Sequence, residues 1–314
     1  MERAPIERIL CPIDFSEFSI LAYDYATSLA LHYGAKLFVQ HAVEVWKYPS
    51  ACFAGTADDY ERFCRDLIRS DERRLHLFVQ DHSKDGFHPE FVVHEGMATE
   101  SILSFAQKEA VDLIVIGTHG VRGFDRFVLG SGAEKVLKKA HCSVLAVHQT
   151  SRHLSRPASI RHGIELQEIL FCTDFSDYSN RALDYALSVA AEYKANLTLV
   201  HVIEGISRLH KPEDTAKAHD TLNRLIPRQS RQDQRIATEI RTGRAYREIC
   251  QLASEKSADL VIMAVHGSNS LDEAVFGSTT YRVVQLGSCP VLVVHPDANR
   301  GGPLCTDLAS KETR

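Results

Sequence analysis

The chain has 314 residues, 44% apolar and 25% charged, with a formal net charge of −5, which is ordinary for a globular protein and gives length for two cores. The acidic balance argues against nucleic acid or a membrane surface as the main partner, because the overall field attracts neither. No apolar run approaches the roughly 18 residues that span a bilayer, and the opening MERAPIERIL has no secretory core, so the expected location is the cytoplasm.

Taken in order, Ile9 to Asp14 (ILCPID) is a short apolar run ending in an acid, and reads as a buried strand entering a turn. From Ser19 to Tyr33 apolar residues recur with helical period, and Gly34 stops that helix. Lys36 to Val43 is a second strand, Trp46 to Asp58 an aromatic loop, and Asp59 to about Gln80 a charged helix. A third strand runs from Phe91 to His94, ended by Gly96, and a helix from Thr99 to Glu109. A fourth strand covers Leu113 to Ile116, a further helix lies near Ala133 to Ala140, and a fifth strand spans Val144 to His148. Alternating strands and helices predict a parallel sheet covered on both faces, with right-handed crossovers.

After position 160 the pattern begins again. Shifted by 160, Ile9, Asp14, Phe15, Ser16, Ser19 and Tyr25 meet Ile169, Asp174, Phe175, Ser176, Ser179 and Tyr185, and His41 meets His201. Further on the shift is 147: Gly96 meets Gly243, Asp112 meets Asp259, Gly130 and Ser131 meet Gly277 and Ser278, and His148 meets His295. The second copy is therefore 13 residues shorter (160 minus 147), with the loss between its second and third strands. The expected organisation is a domain at 1–148, a polar basic linker at 149–163 with Arg152 and Arg156 as candidate phosphate-facing side chains, a domain at 164–296 and a loose tail at 297–314.

Eight cysteines never fall as C-x-x-C. Cys11 and Cys172 sit among apolar neighbours and read as buried thiols, while Cys52, Cys64 and Cys305 have more polar surroundings. Sixteen histidines show neither H-x3-H nor H-E-x-x-H spacing, so no metal site is expected.

The stretch GTHGVRGFDRFVLGS, Gly117 to Ser131, follows the fourth strand and leads into a helix. Glycines at 117 and 120 allow unusual backbone conformations and close approach to a ligand, and Gly130 and Ser131 set free N–H groups and a hydroxyl at a helix N-terminus, where an anion is stabilised. The alternative is that these glycines only make a tight turn. The spacing is neither the Walker A pattern nor the dinucleotide G-x-G-x-x-G.

The spacing G-x-x-G-x9-G-S, with Asp14 ending an earlier strand, resembles the signature of the ATP-binding universal stress proteins. ILCPIDFSEFS, the HAV and HVI after the second strands, GTHG and VHG, and the closing SVLAVH and PVLVVH are also similar to that family, so the resemblance covers both copies. It implies an α/β fold: two tandem copies of a doubly wound five-stranded parallel sheet domain, adenine nucleotide alpha hydrolase-like, packed as an intrachain pseudo-dimer through their closing strands. It implies ATP, with Mg²⁺ as a companion, at the carboxyl ends of the first and fourth strands. Pro12 and Asp14 would lie beside the adenosine, Ala42 would give backbone contacts to the base, Ile116 and Gly117 would flank ribose and phosphates, His119 and Gly120 would line the turn, and Gly130, Ser131 and Gly132 would hold the phosphates. A turn-capping role is the alternative for Asp14, and a structural one for His119.

The matching second set is Asp174, Val202, Met263, His266, Gly267, Gly277 and Ser278. Ala264 stands where the first copy has Gly117, and Cys172 where it has Pro12, which weakens the expectation of binding there.

The leading functional expectation is an ATP-binding regulatory protein of the stress response, with no catalytic residue assigned. A slow ATPase or nucleotidyl transferase using Asp14, His119 or Asp125 is a second possibility. A nucleotide-independent scaffold presenting the loop from Trp46 to Phe53 is a third. Homodimerisation of the tandem chain is left open.

Overall fold

The protein is described by a computed structural model over residues 6–50, 55–82, 86–118, 129–148, 163–204, 212–227, 235–265 and 276–295. In the first copy β1 (Arg8–Pro12) leads to α1 (Glu17–Tyr33). Ser16 caps that helix by accepting from the Ser19 N–H at 3.2 Å, and Gly34, at φ 69°, ends it in the left-handed conformation that glycine adopts without strain. After β2 (Lys36–Val43) and a short 3₁₀ turn at Val45–Lys47 comes α2 (Ala57–His82), longer than its charge pattern indicates. Its start is fixed by a reciprocal pair: Thr56 Oγ1 accepts from the Asp59 N–H at 3.2 Å, and Asp59 Oδ2 accepts from the Thr56 N–H at 3.1 Å. The copy closes with β3 (Glu90–Glu95), α3 (Ala98–Lys108), β4 (Leu113–Gly117), α4 (Ser131–Lys139) and β5 (Ser143–Val147).

The second copy repeats this order as β6 (Glu168–Cys172), α5 (Asp177–Tyr193), β7 (Asn196–Ile203), α6 (Pro212–Leu225), β8 (Ile236–Thr242), α7 (Ala245–Glu255), β9 (Leu260–Ala264), α8 (Ser278–Leu286) and β10 (Val291–Val294). The shortening falls largely on one helix: α6 has 14 residues where α2 has 26.

All ten strands form one sheet in the order β3-β2-β1-β4-β5-β10-β9-β6-β7-β8. Pairing is parallel within each copy and antiparallel where the copies meet, with Leu145 opposite Leu292. The two closing strands thereby cover each other's edges. One apolar layer holds side chains of α1, α2, α5 and α6, and the opposite layer those of α3, α4, α7 and α8, so each layer is continuous across both copies.

The junction is pseudo-symmetric down to single residues. His32 Nε2 lies 3.0 Å from Glu192 Oε1, and 32 and 192 are equivalent positions under the 160-residue shift. The His32 ring also stacks on Tyr193 at 4.7 Å. Burial raises Tyr25 above the ordinary tyrosine range, with Cys289 and then Asp259 of the other copy adding to it, and burial raises its counterpart Tyr185, with Asp112 of the other copy adding to it. Each of these aspartates also accepts two backbone N–H bonds, Asp112 from Glu7 and Arg8, Asp259 from Gln167 and Glu168.

Candidate functional site at the strand ends

In the first copy β1 lies between β2 and β4, so the chain leaves the sheet in opposite directions from neighbouring strands. This reversal opens a crevice beyond their carboxyl ends. Side chains alternate between faces along a strand. Leu10 and Ile116 belong to the layer under α3 and α4, which puts Pro12, two residues beyond Leu10, on that same face. Pro12 stands opposite Gln40 in register, and Ala42, two residues further along β2, stands opposite His94. Three of the predicted residues, Pro12, Ala42 and Ile116, are thus brought to one face beneath the starts of α3 and α4.

α4 begins at Ser131 with Gly130 as its N-cap. The Gly130 N–H donates to the Thr118 carbonyl at 2.8 Å, so it is not a free donor; the donors left for an anion are those of the helix's first turn, from Ser131 onward. Gly130, at φ −60° and ψ 137°, has a backbone open to any residue. Among the described residues, a Cβ at Gly132 would meet only Thr99 Oγ1, at 4.0 Å. His119 and Gly120, with Asp125, lie outside the described residues.

Asp14 is exposed just past β1. Its Oδ1 accepts from the Ser16 N–H at 3.0 Å and from Ser16 Oγ at 2.6 Å, which is the turn-capping arrangement. Between them Phe15 adopts φ 62°, and Phe175 repeats this at 65°. A left-handed phenylalanine costs about 1–2 kcal/mol. Ring packing offsets it: Phe15 lies 4.7 Å from the His41 ring with the Arg74 guanidinium 3.9 Å away, and Phe175 stacks on His201 at 4.1 Å. Each histidine donates Nδ1–H to a backbone carbonyl at the strand end, His41 to Ile13 at 2.7 Å and His201 to Thr173 at 2.9 Å. His41 Nε2 faces Asp71 Oδ2 of α2 at 3.5 Å.

Gly117 corrects an expectation. Its φ is not in the left-handed range, and an added Cβ would meet the backbone carbon and oxygen of Phe18 at 2.8 Å. Glycine is required here because the start of α1 presses on the end of β4. In the second copy the Ala264 methyl is accommodated in the layer shared with α5 and α6. A left-handed penalty therefore does not apply at Ala264, and its side chain points to the face opposite that of Met263 and Cys172.

The second set is otherwise laid out like the first. Asp174 Oδ1 accepts from the Ser176 N–H at 3.1 Å, Val202 and Met263 lie in the layer under α7 and α8, and Gly277 caps α8 with Ser278 as its first residue. The Gly277 N–H donates to the Val265 carbonyl at 3.1 Å, repeating the Gly130 bond. His266 and Gly267 are outside the described residues.

Comparison with known proteins matches the model of the universal stress protein family to residues 5–148 and again to 165–295. The chain belongs to the universal stress protein family. A universal stress protein of Methanocaldococcus jannaschii is 29% identical over 146 residues, 46% of this chain and 84% of that one. The Bacillus subtilis universal stress protein YxiE is 30% identical over 145 residues, 45% of this chain and 97% of its own. Among solved structures, a universal stress protein of Archaeoglobus fulgidus superposes with a TM-score of 0.67 at 20% identity, covering 92% of this chain and 98% of that one, which shows the shared fold.

In this universal stress protein four thiols, Cys11, Cys142, Cys172 and Cys250, are held protonated at neutral pH. Burial, followed by the charge of Asp112, pushes Cys142 up to about 12, and burial pushes Cys250 up to about 11. Cys11 and Cys172 are raised further by the same cause. Such thiols are poor nucleophiles at neutral pH. Among the described residues no group of three or more His, Cys, Asp or Glu side chains is placed to hold a metal, and no helix is long and apolar enough to cross a membrane. Two features escaped the residue-level reading. The His41 and His201 match was visible in the repeat, but the bond that each makes to a strand-end carbonyl was not. Gln40, buried in the middle of β2 beside His41, is the other.

Proposed function

We propose that this universal stress protein binds an adenine nucleotide, ATP with Mg²⁺, at the carboxyl ends of β1 and β4, and that occupancy regulates the stress response in the cytoplasm. The observation that supports the reading is the convergence, at one crevice, of an exposed carboxylate (Asp14), an apolar row (Pro12, Ala42, Ile116) and the first turn of α4. These match a nucleotide's three chemistries. Asp14 accepts hydrogen bonds from ribose hydroxyls, the row packs on the base with Ala42 giving backbone contacts, and N–H groups with the Ser131 hydroxyl and Gly132 receive phosphate oxygens. Gly117, His119, Gly120 and Gly130 shape the phosphate loop. Bound Mg²⁺ would neutralise phosphate charge. The two units, residues 1–148 and 164–296, each carry one site, the second formed by Asp174, Val202, Met263, His266, Gly267, Gly277 and Ser278.

Calorimetric titration of nucleotide-free protein with ATP and Mg²⁺ tests this. Two sites per chain of unequal affinity are expected, with the first lost in Gly130→Asp, which sets a carboxylate among the phosphate donors. A stoichiometry of one would restrict binding to the first copy. No heat at millimolar ATP would sink the nucleotide reading. One observation favours a second reading, a ligand-independent scaffold: the bonds from Ser16 to Asp14 and the packing of Gly117 on Phe18 account for both residues without a ligand.

A further inference from the structure

Gln40 lies in the middle of β2 with 1% of its surface exposed, and among the described residues neither its amide nitrogen nor its amide oxygen has a hydrogen-bond partner. A desolvated amide without partners is a standing destabilisation. Such groups in native proteins call for an explanation, of which a ligand is one. The neighbours show where it points. Phe38, two residues earlier, lies in the layer under α3 and α4, so Gln40 shares that face, as does Ala42. In register Gln40 is flanked by Pro12 and Val92, and the next row holds Ala42 and His94, whose Nε2 is also buried and unpartnered. His94 packs edge-on against Phe105 of α3, 5.6 Å between centroids.

The second copy has no unpartnered polar group at either equivalent position. Position 200, equivalent to 40, is a valine with 1% exposure packed in the same layer. Position 241, equivalent to 94, is an arginine engaged at 2.6 Å with both Glu239 and Glu255. A buried valine fits this place in the fold without strain, so the amide in the first copy is not required by packing.

Resting on the nucleotide reading above, we infer that Gln40 is a specificity residue of the first site, whose carboxamide pairs with the hydrogen-bonding edge of the base. A carboxamide offers a donor and an acceptor side by side, the complement of an exocyclic amine next to a ring nitrogen. Binding the base against Pro12 and Ala42 satisfies the amide, and a base lacking the amine leaves its oxygen desolvated. The first site then has a side-chain hydrogen-bonding contact to the base that the second, with Val200, lacks.

The test compares ATP with purine riboside 5′-triphosphate, which lacks the 6-amino group, on the full chain by calorimetry, in wild type, Gln40→Val and Gln40→Met. The valine is the second copy's own residue, and the methionine keeps the volume, so one variant reports if the other misfolds. Wild type is expected to prefer ATP by about 10-fold at the first site, roughly one good hydrogen bond, and both variants to lose that preference while still binding triphosphate. An ATP preference unchanged in the variants would overturn the assignment of Gln40 and leave nucleotide binding standing. Failure of wild type to bind either triphosphate would remove the site itself, and the assignment with it.

Discussion

Gly117→Ala separates two explanations of the same residue. A Cβ built there would stand 2.8 Å from the Phe18 carbonyl carbon and oxygen, where ordinary contact begins at 3.4 Å, so about 0.6 Å of movement is required. The obstructing atoms are backbone in the first turn of α1, and no rotamer change relieves them. Overpacking of this kind costs about 1–3 kcal/mol. With a urea m-value of about 2 kcal/mol/M, a 2 kcal/mol loss lowers the unfolding midpoint by about 1 M. Truncating Phe18 to alanine in the same chain should restore little, because the nearest contacts remain. The second copy provides the converse: Ala264→Gly, with no clash to relieve, should destabilise by roughly 1 kcal/mol through backbone entropy and lost packing. If Gly117→Ala unfolds at the wild-type midpoint and only nucleotide affinity falls, the helix-packing account is refuted and the glycine exists for the ligand.

At Phe15 the usual order of glycine and alanine should invert: both variants lose ring packing on His41 and Arg74, but Phe15→Gly escapes the left-handed penalty and should be the more stable by about 1 kcal/mol in urea melts. Asp14→Asn keeps an acceptor for Ser16 and should hold both stability and most ATP affinity, whereas Asp14→Ala should lose about 1 kcal/mol and at least about 10-fold in affinity, read by melting and calorimetry. Alkaline titration should expose the buried thiols. Cys142 and Cys250 have folded values raised to about 12 and about 11, so their contribution is complete below the unfolded value near 9 and is lost as pH rises from there through the folded values. Each costs about 1.4 kcal/mol per pH unit within its window. A Cys142→Ala, Cys250→Ala double variant should therefore show a flatter stability profile between pH 9 and 11, and an unchanged slope would contradict the assignment.

Periodicity and repeat carried most of the fold. β2 was legible to the residue, because Lys36–Val43 is bounded by Gly34 and by the polar end of the strand. The pairing of closing strands was legible only through family resemblance, since nothing in SVLAV or VLVV distinguishes an edge strand that meets its twin from a covered central strand. α4 begins at Ser131, where the Gly130–Ser131 pair set a helix N-terminus, although its apolar face starts only at Ala133 because polar first-turn residues carry no hydrophobic signal. Position 194 shows the opposite difficulty. Lys194 takes the left-handed cap, at φ 55°, that Gly34 takes in the first copy, and no propensity rule places a lysine there. At the site, the composition of the crevice could be read, but the reasons for its residues could not. Gly117 owes its identity to a helix distant in sequence, Gly130 spends its N–H on Thr118, and Gln40 is conspicuous only once burial shows that its amide is alone.

The antiparallel junction fixes how the two crevices relate. Strands within a copy are parallel, and the copies run in opposite senses across β5 and β10, so the carboxyl ends of β1 and β4 lie on the opposite border of the sheet from those of β6 and β9. No single small ligand can touch both. Any coupling must therefore pass through the junction, where α1 and α5 are joined by His32 with Glu192 and Tyr193. α1 is the common element: its first turn presses on Gly117 beside the first crevice, and its last turn carries His32. A rigid helix that contacts a site at one end and the partner copy at the other transmits displacement along its axis. His32→Ala should accordingly alter the affinity ratio of the two sites more than either melting midpoint, since a partly exposed side-chain pair of this kind contributes only about 0–1 kcal/mol to stability. Two-site calorimetry on the variant measures that ratio, and an unchanged ratio would mean that the crevices act independently.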